Sequence, residues 1–129
     1  MFTLQQIKIA HGKVKSGADF PAYIQELQKL GVIRYKTHVS NGSTEFEGSN
    51  HFKVESESCY PKKSVSNTSN KELFVTSLKE HQQGKSDYPT FRNLCAQCGV
   101  NHWIVDISNM TCIYYDSNGA ELLREQIPS

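Results

Sequence analysis

The sequence predicts an α+β fold, in which two pseudo-repeated helix-helix-strand-strand-strand units form one domain with a mainly antiparallel sheet. Three observations predict it. Residues 19–50 align without a gap with residues 87–118, at an offset of 68, and eight of the 32 aligned positions are identical. In each unit, apolar residues at helical spacing precede segments that alternate between apolar and polar residues. At 129 residues the chain suits one core, whereas two independent domains would each be marginal.

The two units are expected to span about residues 1–57 and 70–128, and the whole chain, 1–129, to be a single domain. Between the units, Cys59 to Ser69 is rich in Ser, Asn, Lys and Pro, a composition typical of a polar loop. Because a three-stranded meander is hard to stabilise alone, we expect the two units to share one core.

The first helix of each unit is indicated by apolar periodicity behind a polar N-cap residue. Thr3 precedes the periodic residues 4–14, and Asn70 has the same place before the second unit. An offset of 70 in this region aligns His11 with His81. Both histidines are therefore expected near the ends of their helices.

The second helix of each unit is indicated by an Asp-aromatic-Pro motif and a closing glycine. Asp19 and Asp87 stand at the N-cap position, and a proline follows in the first turn, where its missing N–H is harmless. Gly31 and Gly99 are expected to end these helices in the left-handed conformation.

Strands follow each helix pair. Residues 33–39 and 103–107 alternate with the period of a half-buried strand. Asn41-Gly42 is typical of a two-residue hairpin, and Asn118-Gly119 predicts a turn in the second unit. The same alternation predicts that Tyr114 is in the core and that Tyr115 points outward.

Composition and charge exclude several function classes. The formal net charge is +1 and the lysines are dispersed, so nucleic-acid binding is not expected. No apolar run is long enough to span a bilayer, and the N-terminus lacks the features of a secretory signal. We therefore expect a cytoplasmic protein with no membrane association and with reduced cysteines.

The most conspicuous motif is Cys95-Ala-Gln-Cys98. A redox or zinc site needs accessible thiolates. Across the offset of 68, however, the two cysteines align with Leu27 and Leu30 on an apolar helix face. Free cysteine commonly acts as a small apolar core residue, so a core role is favoured and a thiol or zinc protein is the alternative.

Two histidine–lysine pairs are polar candidates, His11 with Lys15 and His81 with Lys85. If the units face each other, these groups are candidates for an anion-binding or acid–base site between them. The alternative is that they complement the negative ends of the helix dipoles.

Residues that break the repeat are the other candidates, because the repeated residues build the scaffold. The departures are Arg92 against Ile24, Asp106 against His38, Tyr115 against Glu47 and His102 against Arg34. Any site is therefore expected to be biased towards the second unit. Six residues are candidates for binding a ligand: His11, His81, Lys85, His102, Asp106 and Tyr115. No catalytic residue, metal ligand or cofactor motif is indicated.

The most distinctive segments of the second half are 81–91, 99–100, 103–106, 110–112, 114–116, Gly119 and 125–128. With these segments the chain resembles the YbcV-like family, small bacterial proteins that are often found in prophage regions and labelled "phage envelope protein". The resemblance covers essentially the whole chain and is far more specific in the second half than in the first. The resemblance implies no activity and no catalytic residues. A sequence without a signal or a membrane segment does not favour an envelope role.

The sequence therefore predicts a cytoplasmic module, associated with prophage or accessory genes, that binds a small molecule or a protein. An enzyme with a histidine acid–base site between the units is the alternative, and a thiol or zinc protein is the second alternative. A homodimer is plausible because exposed strand edges invite pairing.

Overall fold

A computed structural model describes residues 2–14, 19–56, 62 and 64–127, with Tyr88 described by its backbone only. The elements are, in chain order, α1 (Leu4–His11), α2 (Phe20–Leu30), β1 (Val32–His38), β2 (Thr44–Gly48), a 3₁₀ turn (Ser49–His51), β3 (Lys53–Ser56), α3 (Lys71–Gln82), α4 (Tyr88–Gln97), β4 (Val100–Asp106), β5 (Thr111–Asp116) and β6 (Glu121–Gln126). The parts of the expected units and of the joining loop at residues 1, 15–18, 57–61, 63 and 128–129 lie outside the described residues.

The six strands form one antiparallel sheet in the order β3-β2-β1-β4-β5-β6, so the predicted α+β class is confirmed. β1 and β4 form the central pair and join the two halves of the chain. Lys36 lies opposite Ile104 in this pair, and these residues are 104 − 36 = 68 positions apart. Both halves also have a register irregularity at the same place, within residues 32–34 of β1 and 100–102 of β4.

The helices lie on one face of the sheet, and the core lies between them. α2 buries Ile24 and Leu27, and α4 buries Phe91 and Cys95. The inward-facing side chains of both central strands join the same cluster, including Trp103, which is 7% exposed. The described helices contain no segment with the length and hydropathy of a membrane span.

Helix capping follows the predictions with one exception. Thr3 Oγ1 accepts a hydrogen bond from the Gln6 N–H over 3.2 Å, and Gln6 Oε1 accepts one from the Thr3 N–H over 2.8 Å. Asp87 Oδ1 accepts from the Thr90 N–H over 2.8 Å. Asp19 occupies the predicted N-cap position of α2, but its side chain makes no capping hydrogen bond. Its φ of −88° and ψ of 0° depart from the extended conformation that a side-chain cap needs.

The β1–β2 connection is longer than the predicted two-residue hairpin. Residues 39–43 separate the strands. Asn41 Oδ1 accepts hydrogen bonds from the backbone N–H and from the hydroxyl of Ser43, each over 2.9 Å, and Gly42 has a φ of 75°. The asparagine side chain therefore organises a wider turn than the one its sequence pair predicts.

Candidate functional site

The sheet surface opposite the helices, here called the open face, carries two cross-strand rows of side chains. One row crosses all six strands in the order Glu55, Glu45, Lys36, Ile104, Ile113 and Arg124. The other row places His38, His102, Tyr115 and Glu121 side by side. In these rows the open face is therefore charged or titratable over β3, β2, β1 and β6, and apolar or aromatic over β4 and β5.

Two histidines of the open face lie opposite each other at one end of the central strands β1 and β4. The Val39 N–H donates to the Asn101 carbonyl over 2.9 Å, so Val39 and Asn101 form a hydrogen-bonded pair. The next pair, His38 and His102, is then a non-hydrogen-bonded pair, in which side chains lie closer together. The two ring centroids are 6.4 Å apart.

Neighbouring side chains fix the orientation of both imidazoles. His38 Nε2 lies 3.0 Å from Glu45 Oε2, and His102 Nδ1 lies 2.9 Å from Asn101 Oδ1. The ring of His102 stacks on Tyr115 with a centroid distance of 4.9 Å and an interplanar angle of 16°. Both side chains are half-buried, so the stacked pair presents a preformed aromatic surface that is partly exposed to solvent.

Burial and two neighbouring basic groups act on His102, and one carboxylate, Glu45, lies opposite Lys36 and beside His38. Burial lowers the pKa of His102, and the charges of Lys36 and His38 lower it further. Within the described residues Lys36 makes no ion pair, whereas Arg34 pairs with Glu47. An anion beside His102 would therefore meet Lys36, whose cross-strand neighbour Glu45 contacts His38 instead of forming an ion pair with it in the described part of the chain.

An apolar strip borders the histidines. Across the offset of 68, Ile104 corresponds to Lys36, Ile113 to Glu45 and Tyr115 to Glu47. Ile104 and Ile113 lie opposite each other on β4 and β5 and are both half-buried. The same positions of the sheet are thus charged in the first half of the chain and apolar in the second.

The structure brings together two of the six residues predicted to bind a ligand, His102 and Tyr115. Asp106 is four residues along β4 from His102, a distance of roughly 13 Å at about 3.3 Å per residue. Its carboxylate accepts hydrogen bonds from the side-chain amide of Asn109 over 2.8 Å and from the Asn109 N–H over 3.3 Å. Asp106 therefore stabilises the β4–β5 turn.

His11 and His81 each contact an aromatic ring of their own half. His11 lies edge-on to Tyr23 at 5.5 Å, and His81 stacks on Phe91 at 4.3 Å. Burial lowers the pKa of both histidines. Lys85 is exposed in the turn after α3. His11 and His81 therefore form two similar but separate histidine–aromatic pairs rather than one shared site.

The cysteine motif lies in the core. Cys95 and Cys98 are 0% exposed and Cys112 is 2% exposed, and all three are free thiols. Burial raises the pKa of each thiol, that of Cys112 to about 12. Among the described residues, no three His, Cys, Asp or Glu side chains are grouped in a way that could hold a metal ion.

Two open clefts in the described part of the chain lie away from the six predicted ligand-binding residues. One, of about 390 Å³ between α1 and α2, is lined by Gln6, Ile9, Ala10, Glu26, Lys29 and Leu30. The other, of about 340 Å³, is lined by Ser64, Val65, Ser66, Asn93, Ala96 and Gln97. None of the six predicted ligand-binding residues lines either cleft.

Comparison with known proteins gives one family. A family model described as "Protein of unknown function (DUF1398)" matches residues 8–126, nearly the whole chain. A search of curated proteins gave no match.

Proposed function

The chain belongs to the DUF1398 family, whose function is unknown, and we propose that it is a binding module that takes up a small planar molecule on the open face. The site is the ring patch, defined as His38, His102, Tyr115, Ile104 and Ile113. A planar ligand would lie against the stacked imidazole and phenol rings and cover the two isoleucines.

The observation that carries this proposal is the His102–Tyr115 stack beside half-buried isoleucines on a face that is otherwise charged. Stacked aromatic rings offer a large apolar area with polar edges. Apolar residues grouped on a surface and bordered by charges are typical of binding sites. Since Glu45 and Glu47 occupy the corresponding positions in the first half, the fold itself does not require Ile113 and Tyr115 to be apolar or aromatic.

The alternative of a histidine acid–base site between the halves has less support. It needs His11 and His81 beside one cavity, but α1 packs on α2 and β3, and α3 packs on α4. A thiol or zinc function has less support too, because the raised pKa of Cys95 and Cys98 keeps these buried thiols protonated.

We also propose a cytoplasmic location, because free thiols are typical of a reducing compartment. An association with prophage or accessory genes rests on the resemblance to the YbcV-like family alone. A homodimer stays a prediction, based on the edge strands β3 and β6 of the described sheet. Sedimentation equilibrium of the full chain would test it.

The proposed site can be tested with 2-naphthamide, a neutral planar probe, in an NMR titration of the isotope-labelled full chain. A ligand of roughly 13 non-hydrogen atoms gains about 4 kcal/mol at ~0.3 kcal/mol per atom, which corresponds to a dissociation constant of about 1 mM. We expect the largest amide shifts at residues 36–38, 102–104 and 113–115.

Variants of Tyr115 separate stacking from folding. Tyr115→Glu introduces the residue of the first half and should weaken binding at least about threefold, because the stack is lost. Tyr115→Phe keeps the ring and should bind as the wild type does. Shifts confined to the cleft beside Ile9, or no shifts at all, would contradict the proposed function.

A further inference from the structure

Building on the proposed function, we infer that the ligand class of the ring patch is a planar apolar anion, with its acidic group beside Lys36 and the His38–His102 pair and its ring over Ile104 and Tyr115. An aromatic or conjugated carboxylate has this chemistry. The proposed function alone does not specify the charge of the ligand.

The first reason to expect a negative charge on the ligand is Lys36. It lies directly opposite Ile104 on β4 and opposite Glu45 on β2, so the Lys36 side chain starts beside the apolar strip. It makes no ion pair within the described residues, and its charge already acts on His102. A carboxylate placed between Lys36 and His102 would complement both groups.

The second reason is the way the two imidazoles are held. His102 uses Nδ1 towards Asn101, which leaves its Nε2 without a hydrogen bond to a described residue. An imidazolium at this position would present an N–H donor to an acidic group. His38 Nε2 already lies 3.0 Å from Glu45 Oε2, so His102 and Lys36 are the principal donors.

Anion binding should therefore be coupled to proton uptake. The charged and titratable groups near His102 are Lys36 and His38 from β1, Glu45 from β2, Tyr115 from β5, and Glu121 from β6, which pairs with Arg124. The positive neighbours favour neutral His102 in the free protein, and a bound anion offsets them. As the pH falls from 8 to 6, the imidazolium fraction rises and the affinity for an anion should rise with it.

The test compares three probes of one shape on the full chain: 2-naphthoate, 2-naphthamide and 2-naphthylmethylammonium. Dissociation constants come from NMR shifts of the ring patch at pH 6 and pH 8. We expect 2-naphthoate to bind at least about fivefold more tightly than the amide at pH 6, and the ammonium probe to bind most weakly. The preference for the anion should shrink at pH 8.

Variants identify the side chains that cause the preference for the anion. Lys36→Gln and His102→Gln should each remove most of the preference for 2-naphthoate over 2-naphthamide. Lys53→Gln is the matched control, because Lys53 is on the same face but pairs with Glu47 at 3.4 Å. It should leave the preference unchanged.

The outcomes separate the two proposals. If all three probes shift the ring patch with equal affinity, the site stands and the anion class is wrong. If none of them shifts it, the proposed function itself fails. If the ring-patch amides shift with protein concentration alone, a second copy covers the patch and the anion class is overturned.

Discussion

The guanidinium of Arg92 on α4 donates a hydrogen bond from Nε to the carbonyl oxygen of Val39, the residue that follows β1, over 2.9 Å. A second bond joins Nη2 to the Ser40 carbonyl over 3.0 Å. Arg92 is 1% exposed, and Ile24 holds the corresponding position in the first half. A buried cation from the second half therefore fixes the β1–β2 connection of the first.

Replacing Arg92 should destabilise the protein strongly. Arg92→Met removes two charge-assisted hydrogen bonds and leaves two carbonyls without these donors, at an expected cost of about 2–4 kcal/mol in the free energy of unfolding. Urea denaturation of the variant measures this. Asn93→Ala, at the exposed neighbouring position, is the control and should change stability by less than about 0.5 kcal/mol. An Arg92→Met protein as stable as the wild type would contradict the importance of this contact.

Gly99 and Gly31 form a matched pair for testing how the loop at residues 68–69 packs. Both have positive φ, 81° and 101°. A Cβ at Gly99 would lie 2.8 Å from the Thr68 carbonyl oxygen, whereas nothing lies within 4 Å of one at Gly31. We expect Gly31→Ala to cost about 1 kcal/mol for backbone strain alone. Gly99→Ala should cost at least about 1 kcal/mol more, and equal losses in denaturation experiments would refute the close approach.

The buried thiols should be unreactive in the folded protein. Because Cys59 lies outside the described residues, the experiment uses a Cys59→Ser background. Modification of Cys95, Cys98 and Cys112 by a disulfide reagent at pH 8 should be at least ~100-fold slower in the native state than in urea, since burial keeps the thiols protonated. One thiol that reacts as fast as an unfolded cysteine would revive the thiol hypothesis.

Glu125 should make stability depend on pH. It is half-buried on β6 and accepts a hydrogen bond from Gln82 Nε2 over 3.0 Å, and burial raises its pKa. A raised pKa means that its favourable contribution is present below the unfolded value of about 4.3 and is lost as the pH rises. Glu125→Gln should therefore stabilise the protein at pH 7, by less than about 1 kcal/mol, and have no stabilising effect at pH 3.

The control for this pH dependence is Glu121→Gln, which alters an exposed carboxylate of the same strand. It should change stability by less than about 0.5 kcal/mol at either pH. A Glu125→Gln variant that is less stable than the wild type at pH 7 would show that the charged form is favoured, contrary to the direction given by burial.

Local features of the fold could be predicted from the sequence. The caps at Thr3 and Asn70 depend on hydrogen bonds to residues three positions away. The inward and outward directions of Tyr114 and Tyr115 follow from strand alternation. The N-cap position of Asp19 was predicted too, but its side-chain hydrogen bond is missing because its backbone departs from the extended conformation.

The ring patch could not be predicted in full, because it depends on the register of β1 against β4. His38 was not among the predicted site residues, since nothing near it in the chain indicates that it lies opposite His102. The repeat alone does not say which residue of β1 lies opposite its counterpart 68 positions later in β4. Only the packing of the two strands places Lys36 opposite Ile104. The role of Asp106 in the turn, by contrast, could have been inferred from the nearby sequence, because its partner Asn109 follows it by three residues.

Binding at the ring patch is tested most directly by intermolecular NOEs between unlabelled 2-naphthoate and the labelled full chain. We predict NOEs from the naphthalene protons to the methyl groups of Ile104 and Ile113 and to the ring of Tyr115. NOEs to Ile9 and Leu30 instead, in the cleft between α1 and α2, would contradict the proposed site.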